Sequence, residues 1–260
     1  MFHKLKIDRR GPVAYLVLNT PARRNAVSLD MWQTIPDLVA ELEQDTRIRC
    51  IVMTGAGTEA FSAGADISEF EANRASEDAT HAYDKATGQA ITSIMDASKP
   101  VVAAIRGVCF GGGMALAMAC DLRLASADAR FCIPAARLGI AYGVGGTANL
   151  VAAAGPALAS EILLTAATYT AQEALLRGLV HQIAPVEDFN TVLEDYVGKI
   201  ASNAPLSMLA SKRAIRAAIS GSATAMTAAE EAARSCASSQ DYAEGRRAFA
   251  EKRKPRFNGM

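Results

Sequence analysis

The chain has 260 residues, half of them hydrophobic, and its Lys plus Arg and its Asp plus Glu both number 27. A chain of this length can bury a large core, either as one domain or as a core with a smaller appendage. A formal net charge of zero excludes a global field that would draw in nucleic acid or an acidic membrane.

The cysteines, Cys50, Cys109, Cys120, Cys132 and Cys236, are scattered and contain no C-x-x-C pair. They read as reduced thiols of a cytoplasmic protein, with neither a disulfide framework nor a metal site expected. The N-terminal stretch has no apolar signal region. Leu138 to Ser160 is uncharged and long enough to cross a bilayer. Gly143, Gly145, Gly146, Gly155 and Pro156 interrupt it, so a buried core segment is expected and no membrane partner.

In chain order, Val13 to Leu18 reads as a compact strand after Gly11 and Pro12. A loop carrying Arg23, Arg24 and Asn25 follows. Ser28 is the expected N-cap of a helix with Leu29, Trp32, Ile35, Leu38, Val39 and Leu42 on its apolar face. Pro36 is expected to kink that helix or mark a 3₁₀ start. Cys50 to Met53 is the next buried strand, and a small-residue turn, Ala63-Gly-Ala-Asp66, leads into Ile67 to Phe70. Residues 71–80 are polar and alanine-rich, expected to be mobile or to line a cavity, with a helix over Ala86 to Met95.

Val101 to Ile105 is a strand feeding a second small-residue turn, Gly111-Gly-Gly113, which opens an apolar helix. Leu122 to Ala125 and Arg130 to Ile133 read as short strands. From Gly145 on, helical periodicity dominates, through Ala148–Ala154, Ala157–Leu164, Ala171–Arg177, Val186–Ile200, Pro205–Ile219, Ala223–Ala237 and Gln240–Lys254. Strands alternating with helices, then helices alone, predict an α/β core over residues 1–200 with parallel strands and a helical C-terminal region over 201–260.

Several motifs are absent or fail in context. Gly143-Val-Gly-Gly-Thr-Ala148 matches a dinucleotide fingerprint in letters only. No buried strand precedes it, and the position 20 residues or so downstream is Thr168. Neither a phosphate loop, a hydrolase elbow nor a zinc-protease motif occurs. His3 and His181 read as structural, and His81 as solvent-exposed beside the polar segment.

The informative pair is the two small-residue turns. Each follows a strand and begins a helix, so each can present a free backbone N–H. Two such donors converging on one oxygen form an oxyanion hole, which stabilises charge as it develops in a transition state. Bulky side chains at either turn would block that approach.

The stretches Phe61 to Ile67, Lys99 to Gly107, Gly111 to Gly113, Ala119-Cys-Asp121 and Gly145-Gly-Thr147 together resemble the crotonase superfamily, the enoyl-CoA hydratase/isomerase family. Ala171 to Val180 and Arg256-Phe257 extend the resemblance over essentially the whole chain. It implies a crotonase-like spiral of ββα units, a C-terminal helical region that trimerises, and a homotrimer or a hexamer built as a dimer of trimers. It also implies an acyl-CoA ligand, with coenzyme A entering as part of the substrate and no separate cofactor. By position, the oxyanion donors are Ala65 and Gly112. Arg23, Arg24, Ala26, Ala63, Asp66, Ile67, Phe110, Gly111, Pro134, Ala135 and Leu138 fall in the substrate pocket. Guanidinium groups suit phosphates, and Lys252, Arg253 and Lys254 are further candidates for the CoA phosphates.

The resemblance also exposes a departure. Family hydratases carry one glutamate two residues after the glycine triplet and another directly after the proline of the Phe131-to-Gly139 segment. Here those positions are Ala115 and Ala135, which cannot act as acid or base. An enolate can instead form by loss of CO₂ or cleavage of another C–C bond. Tyr142 falls where the family's methylmalonyl-CoA decarboxylase carries a tyrosine, although that enzyme has a histidine at the position of Ala65. A phenol there can hydrogen-bond a carboxylate or supply a proton. Decarboxylation, C–C cleavage or isomerisation is therefore expected ahead of simple hydration. A hydratase whose acid or base has moved, to His81 or Asp66, and a non-catalytic acyl-CoA binder remain open.

Overall fold

The computed structural model describes residues 4–69 and 75–260. His3, Phe70 and residues 71–74 of the polar segment lie outside the described residues.

The chain alternates strands between two sheets. A six-stranded sheet has the order β1 (Leu5–Arg10), β2 (Val13–Leu18), β3 (Cys50–Gly55), β5 (Val101–Ile105), β7 (Leu122–Ser126) and β10 (Gln182–Ala184). A four-stranded sheet has the order β4 (Ala60–Ser62), β6 (Val108–Phe110), β8 (Arg130–Cys132) and β9 (Tyr169–Thr170). Strands β3, β5 and β7 each enter the large sheet, and β4, β6 and β8, which directly follow them, enter the small one. Helices α2 (Glu77–Asp96), α3 (Gly112–Ala119) and α4 (Val144–Thr165) then return the chain for the next turn. This repeated ββα step is the crotonase spiral.

Side-chain alternation along the strands explains the layering. Val52, Val102 and Ala104 face Phe189, Leu193 and Val197 of α6 (Phe189–Ala201). Ile51, Met53, Val101, Ala103 and Ile105 face the main core with Met31, Trp32 and Ile35 of α1 (Leu29–Gln44). The pairing from β2 through β3, β5 and β7 to β10 is parallel, as expected; β1 with β2 and β8 with β9 are antiparallel. Short α5 (Ala171–Leu176) precedes β10, and α7 (Pro205–Ser220), α8 (Ala223–Ala237) and α9 (Gln240–Ala250) close the chain. A buried Lys212 on α7 reaches into the core, donating to Asp121 (2.7 Å) and to the Lys99 carbonyl (2.8 Å).

Four local expectations are corrected. Helix α1 runs unbroken through Pro36, because apolar contacts on both sides of the proline hold it to one core. Ser28 occupies the N-cap, but its hydroxyl bonds Asp30 and the Lys4 ammonium; the Leu29 amide is satisfied by Glu69 Oε2 at 2.9 Å. Helix α2 begins at Glu77, capped by Ser76, so part of the polar segment is helical. Finally, α4 is only partly core, with Leu150, Ala159 and Ile162 buried. It is long and apolar enough to cross a membrane, yet only 17% of its most apolar window is buried. Gly155 at φ 77 breaks its helical geometry, and it lies along the surface with Val144 and Leu164 exposed.

Candidate active site

The two small-residue turns meet. Residues 63–66 follow β4, and Gly111–Gly112 follow β6, its parallel neighbour in the small sheet. Val27 forms a parallel bridge with Ala65, donating to the Gly64 carbonyl (2.8 Å) and accepting from the Asp66 amide (3.0 Å). That bridge uses the groups on either side of Ala65 and leaves its N–H directed away, without a partner among the described residues. Gly112 opens α3, where the first amides have no acceptor within the helix. Gly111 immediately before it is tied to the Cys132 carbonyl (2.8 Å), while Ala115 closes the first helical turn on the Gly111 carbonyl (3.0 Å).

Glycine is required on both sides of this junction. Gly64 and Gly111 have φ of 109° and 48°, in the half of conformational space that side chains disfavour. A Cβ on Gly113 would come within 2.6 Å of the Ser62 carbonyl oxygen, and one on Gly112 within 3.2 Å of the Ala65 nitrogen. With ~2.5 Å between a residue's N and Cβ, the Gly112 and Ala65 nitrogens are no more than about 5.7 Å apart. Two N–H donors each ~2.9 Å from one oxygen span up to about 5.8 Å. The geometry admits a shared acceptor.

The supporting shell is rigid. Asn25 is 1% exposed at φ 55, with Nδ2 donating to Ala56 and Ala60 carbonyls (2.9 and 2.7 Å) and Oδ1 accepting from the Thr20 amide (3.1 Å). The Arg24 carbonyl takes the Ala63 amide at 2.8 Å. Behind α3, the buried Arg123 donates Nε to the Leu179 carbonyl (2.7 Å) and NH1 to the Cys120 carbonyl (2.8 Å). It therefore places a cation at the C-terminal end of the helix whose N-terminus carries Gly112. Nothing in the sequence marks Asn25 and Arg123 as anchors, because a loop asparagine and a strand arginine carry no periodic signal.

The remaining expected residues divide into three groups. Ala63, Asp66, Phe110, Gly111, Pro134 and Ala135 gather around the junction. The Phe110 carbonyl oxygen lies 3.1 Å from where a Gly64 Cβ would be, and Pro134 Cδ lies 4.0 Å from a Gly111 Cβ. Ala135 and Ala26 are buried, whereas Ile67 and Leu138 are exposed. Arg23 is committed to Asp66 (2.5 Å) and Ser68 Oγ (3.0 Å), while the exposed Arg24 side chain has no partner among the described residues. In the tail, Arg253 is held by Glu244 and Glu251, leaving Lys252 and Lys254 as its exposed neighbours. Cys132 turns its thiol to the Ala166 carbonyl (3.3 Å), which places its sulfur in a structural contact.

Electrostatics separate the possible proton donors and acceptors. Burial pushes the Asp66 carboxyl up, but hydrogen bonds from Ser68 and Arg23 outweigh it and hold the group below its ordinary value. Burial pushes the Tyr142 phenol well up, and its hydroxyl has no hydrogen-bond partner among the described residues. Tyr142 packs its ring against Gly146, where a Cβ would come within 2.9 Å of the ring. The Gly143–Ala148 string follows a loop and not a strand, which removes the dinucleotide-site reading. No group of three or more His, Cys, Asp or Glu residues suited to a metal ion occurs among the described residues.

The enoyl-CoA hydratase/isomerase family profile matches residues 8–260. The chain belongs to the enoyl-CoA hydratase/isomerase family. Among curated relatives, the short-chain-enoyl-CoA hydratase of Clostridium acetobutylicum is 34% identical over 95% of both chains. The 2,3-dehydroadipyl-CoA hydratase of Escherichia coli is 35% identical over 98% of this chain and 99% of its own. Among solved structures, an enoyl-CoA hydratase/carnithine racemase from Magnetospirillum magneticum superposes with a TM-score of 0.94 at 33% identity, covering 100% of this chain and 97% of its own. Members of this family are CoA-thioester enzymes.

Proposed function

We propose that this enzyme binds an acyl-CoA, forms the thioester enolate in the Ala65–Gly112 hole, and does so without the paired carboxylates of a hydratase. The convergence of those two free amides carries the reading. Alanine at 115 and 135 removes the usual acid and base, so enolate formation by decarboxylation or C–C cleavage, which needs no base, is favoured over addition of water; isomerisation requires in addition a base displaced from those two positions to take the α-proton. Tyr142 supplies the proton to the enolate carbon. A phenol is protonated at neutral pH and burial raises the Tyr142 pKa further, which disfavours it as a base and leaves it a weak acid facing a far more basic enolate carbon. Coenzyme A is part of the substrate, and no further cofactor is required.

The names of the relatives support a second reading, hydration with a relocated acid or base. Asp66 is poorly suited to that role while Arg23 and Ser68 hold it ionised, and His81 is exposed on α2. A silent acyl-CoA binder is the third. We place the enzyme in the cytoplasm, in keeping with its free cysteines, as a homotrimer or a dimer of trimers. The uncovered apolar residues of α4 and α9, such as Leu164 and Phe249, supply surface for that assembly.

One panel separates the readings. The protein is incubated with crotonyl-CoA, a malonyl-type CoA and a 3-enoyl-CoA, each product being followed by mass. Loss of CO₂ or a shifted double bond that falls sharply in Tyr142→Phe is expected. Fast hydration of crotonyl-CoA that survives Tyr142→Phe defeats the proposal in favour of hydration. Tight binding without turnover on any of the three establishes the binder.

A further inference from the structure

One short stretch of chain holds both halves of the hole. Arg24 and Val27 fix the 63–66 turn through backbone hydrogen bonds, and Leu29 ties the start of α1 to Glu69. One turn into the same helix, Trp32 brings its ring edge to the other half. Its Cζ2 lies 3.0 Å from where a Cβ on Gly112 would be, with the Ala65 nitrogen 3.2 Å from that point. Gly112 is therefore confined between an indole and the opposing donor.

Trp32 is 2% exposed, and its Nε1–H has no acceptor among the described residues. A buried donor without a partner is destabilising. A smaller apolar side chain would avoid that cost. What the indole alone offers is reach, because its six-membered ring carries the Cζ2 edge to Gly112. The ring is fixed by shape and packing, with no side-chain hydrogen bond to compete.

We propose that Trp32 is a positioning residue that sets the spacing between the Gly112 and Ala65 amides, so that the hole is sized for the anionic oxygen of an enolate. Substituting a narrower ring opens a gap beneath the first turn of α3, and Gly112 is free to recede from Ala65. A displacement of ~1 Å at a catalytic group can reduce rate by about 10²-fold. The proposal rests on the reading of this junction as a thioester oxyanion hole. Trp32 is also the sole tryptophan of the chain, so its emission reports on this point alone.

The test uses the full chain and two probes, coenzyme A and S-carboxymethyl-CoA, whose carboxylate mimics an enolate. Calorimetry is expected to show wild type binding the carboxymethyl compound at least tenfold more tightly than coenzyme A. Its Trp32 emission should change with the former and not the latter. In Trp32→Phe, affinity for coenzyme A should be preserved while the carboxylate's advantage shrinks to threefold or less. A purely structural role would weaken both ligands in parallel, and that result overturns the proposal, as does an undiminished advantage in the variant. Should Trp32→Phe fail to fold, wild-type emission decides: no change at saturating S-carboxymethyl-CoA overturns it. Wild type that binds neither compound defeats the thioester reading itself, which is a different failure from a hole that works without Trp32.

Discussion

Alanine substitution at two adjacent glycines should produce opposite phenotypes. At Gly112 the new Cβ would stand 3.0 Å from Trp32 Cζ2 and 3.2 Å from the Ala65 nitrogen, directly beside the proposed oxygen site. Both contacts are tight but relieved by a shift of a few tenths of an ångström. The overpacking cost is about 1–2 kcal/mol, partly offset by alanine's better helical propensity. The catalytic cost is larger, because the methyl crowds one donor and tilts the other. Loss of one oxyanion donor lowers kcat by about 10²–10³, or ~2.7–4 kcal/mol. At Gly113 the Cβ would meet the Ser62 carbonyl oxygen at 2.6 Å and Ser62 Cβ at 2.7 Å. Those groups belong to a buried strand and cannot retreat cheaply, so the main damage there is to stability. Urea unfolding and turnover of the substrate identified by the panel should show Gly112→Ala nearly as stable as wild type and impaired at least a hundredfold. Gly113→Ala should lose about 2 kcal/mol or more of stability. Full turnover in Gly112→Ala would refute the assignment of that amide to the hole.

Asn25→Ala removes three hydrogen bonds from a buried side chain and puts alanine at φ 55. The two effects together should cost about 3 kcal/mol in urea unfolding, and an unchanged midpoint would contradict the anchoring role. Because burial raises the Tyr142 phenol, the pH profile of kcat should lack an alkaline decline from this group below about pH 10. Tyr142→Phe should lower kcat by about 10²-fold or more; an unaffected rate removes it from the mechanism. Burial, with the nearby Arg123 charge, lowers the His181 pKa from 6.5. The unfolded chain therefore takes up a proton before the folded one does, and stability contributed by neutral His181 is lost as pH falls below about 6.5. Unfolding midpoints measured from pH 7 to pH 5 should fall less in His181→Asn than in wild type, and identical slopes would show that His181 is not coupled to folding.

Much of the architecture was legible because hydrophobic period decides it. Val13–Leu18, Cys50–Met53 and Val101–Ile105 are apolar runs bounded by Gly or Pro, and each is a strand of the large sheet. The small sheet was harder to see. Its strands are two or three residues long, too short to show a period, and they exist because neighbouring turns of the spiral supply their partners. Helix α4 misled for the reverse reason. Its uncharged, glycine-broken stretch has the composition of a core, yet only Leu150, Ala159 and Ile162 are buried and most of the helix is uncovered in the single chain. Pro36 likewise mattered less than its local propensity implies, since tertiary packing on Met31, Trp32, Ile35 and Val39 overrides one missing hydrogen bond.

The site divides along the same line. Backbone chemistry leaves a strong imprint on sequence, because a donor that must be approached closely demands glycine or alanine at fixed places. In the proposed hole, Gly64, Ala65, Gly111 and Gly112 stand out in the sequence for that reason. The side chains that hold those donors in place leave almost none. Trp32 looks like any apolar position on a helical face, and Asn25 like any polar residue in a loop. Yet the spacing of the two amides depends on contacts made by residues 24–32. With alanine at both carboxylate positions, this stretch takes on added weight. On the proposed reading, no paired carboxylates compensate for a loose hole. On the proposed chemistry, an enolate formed by bond cleavage is stabilised chiefly by how well the two N–H groups are fixed before it appears, and that fixing is assigned to a helix and a loop far from any catalytic motif.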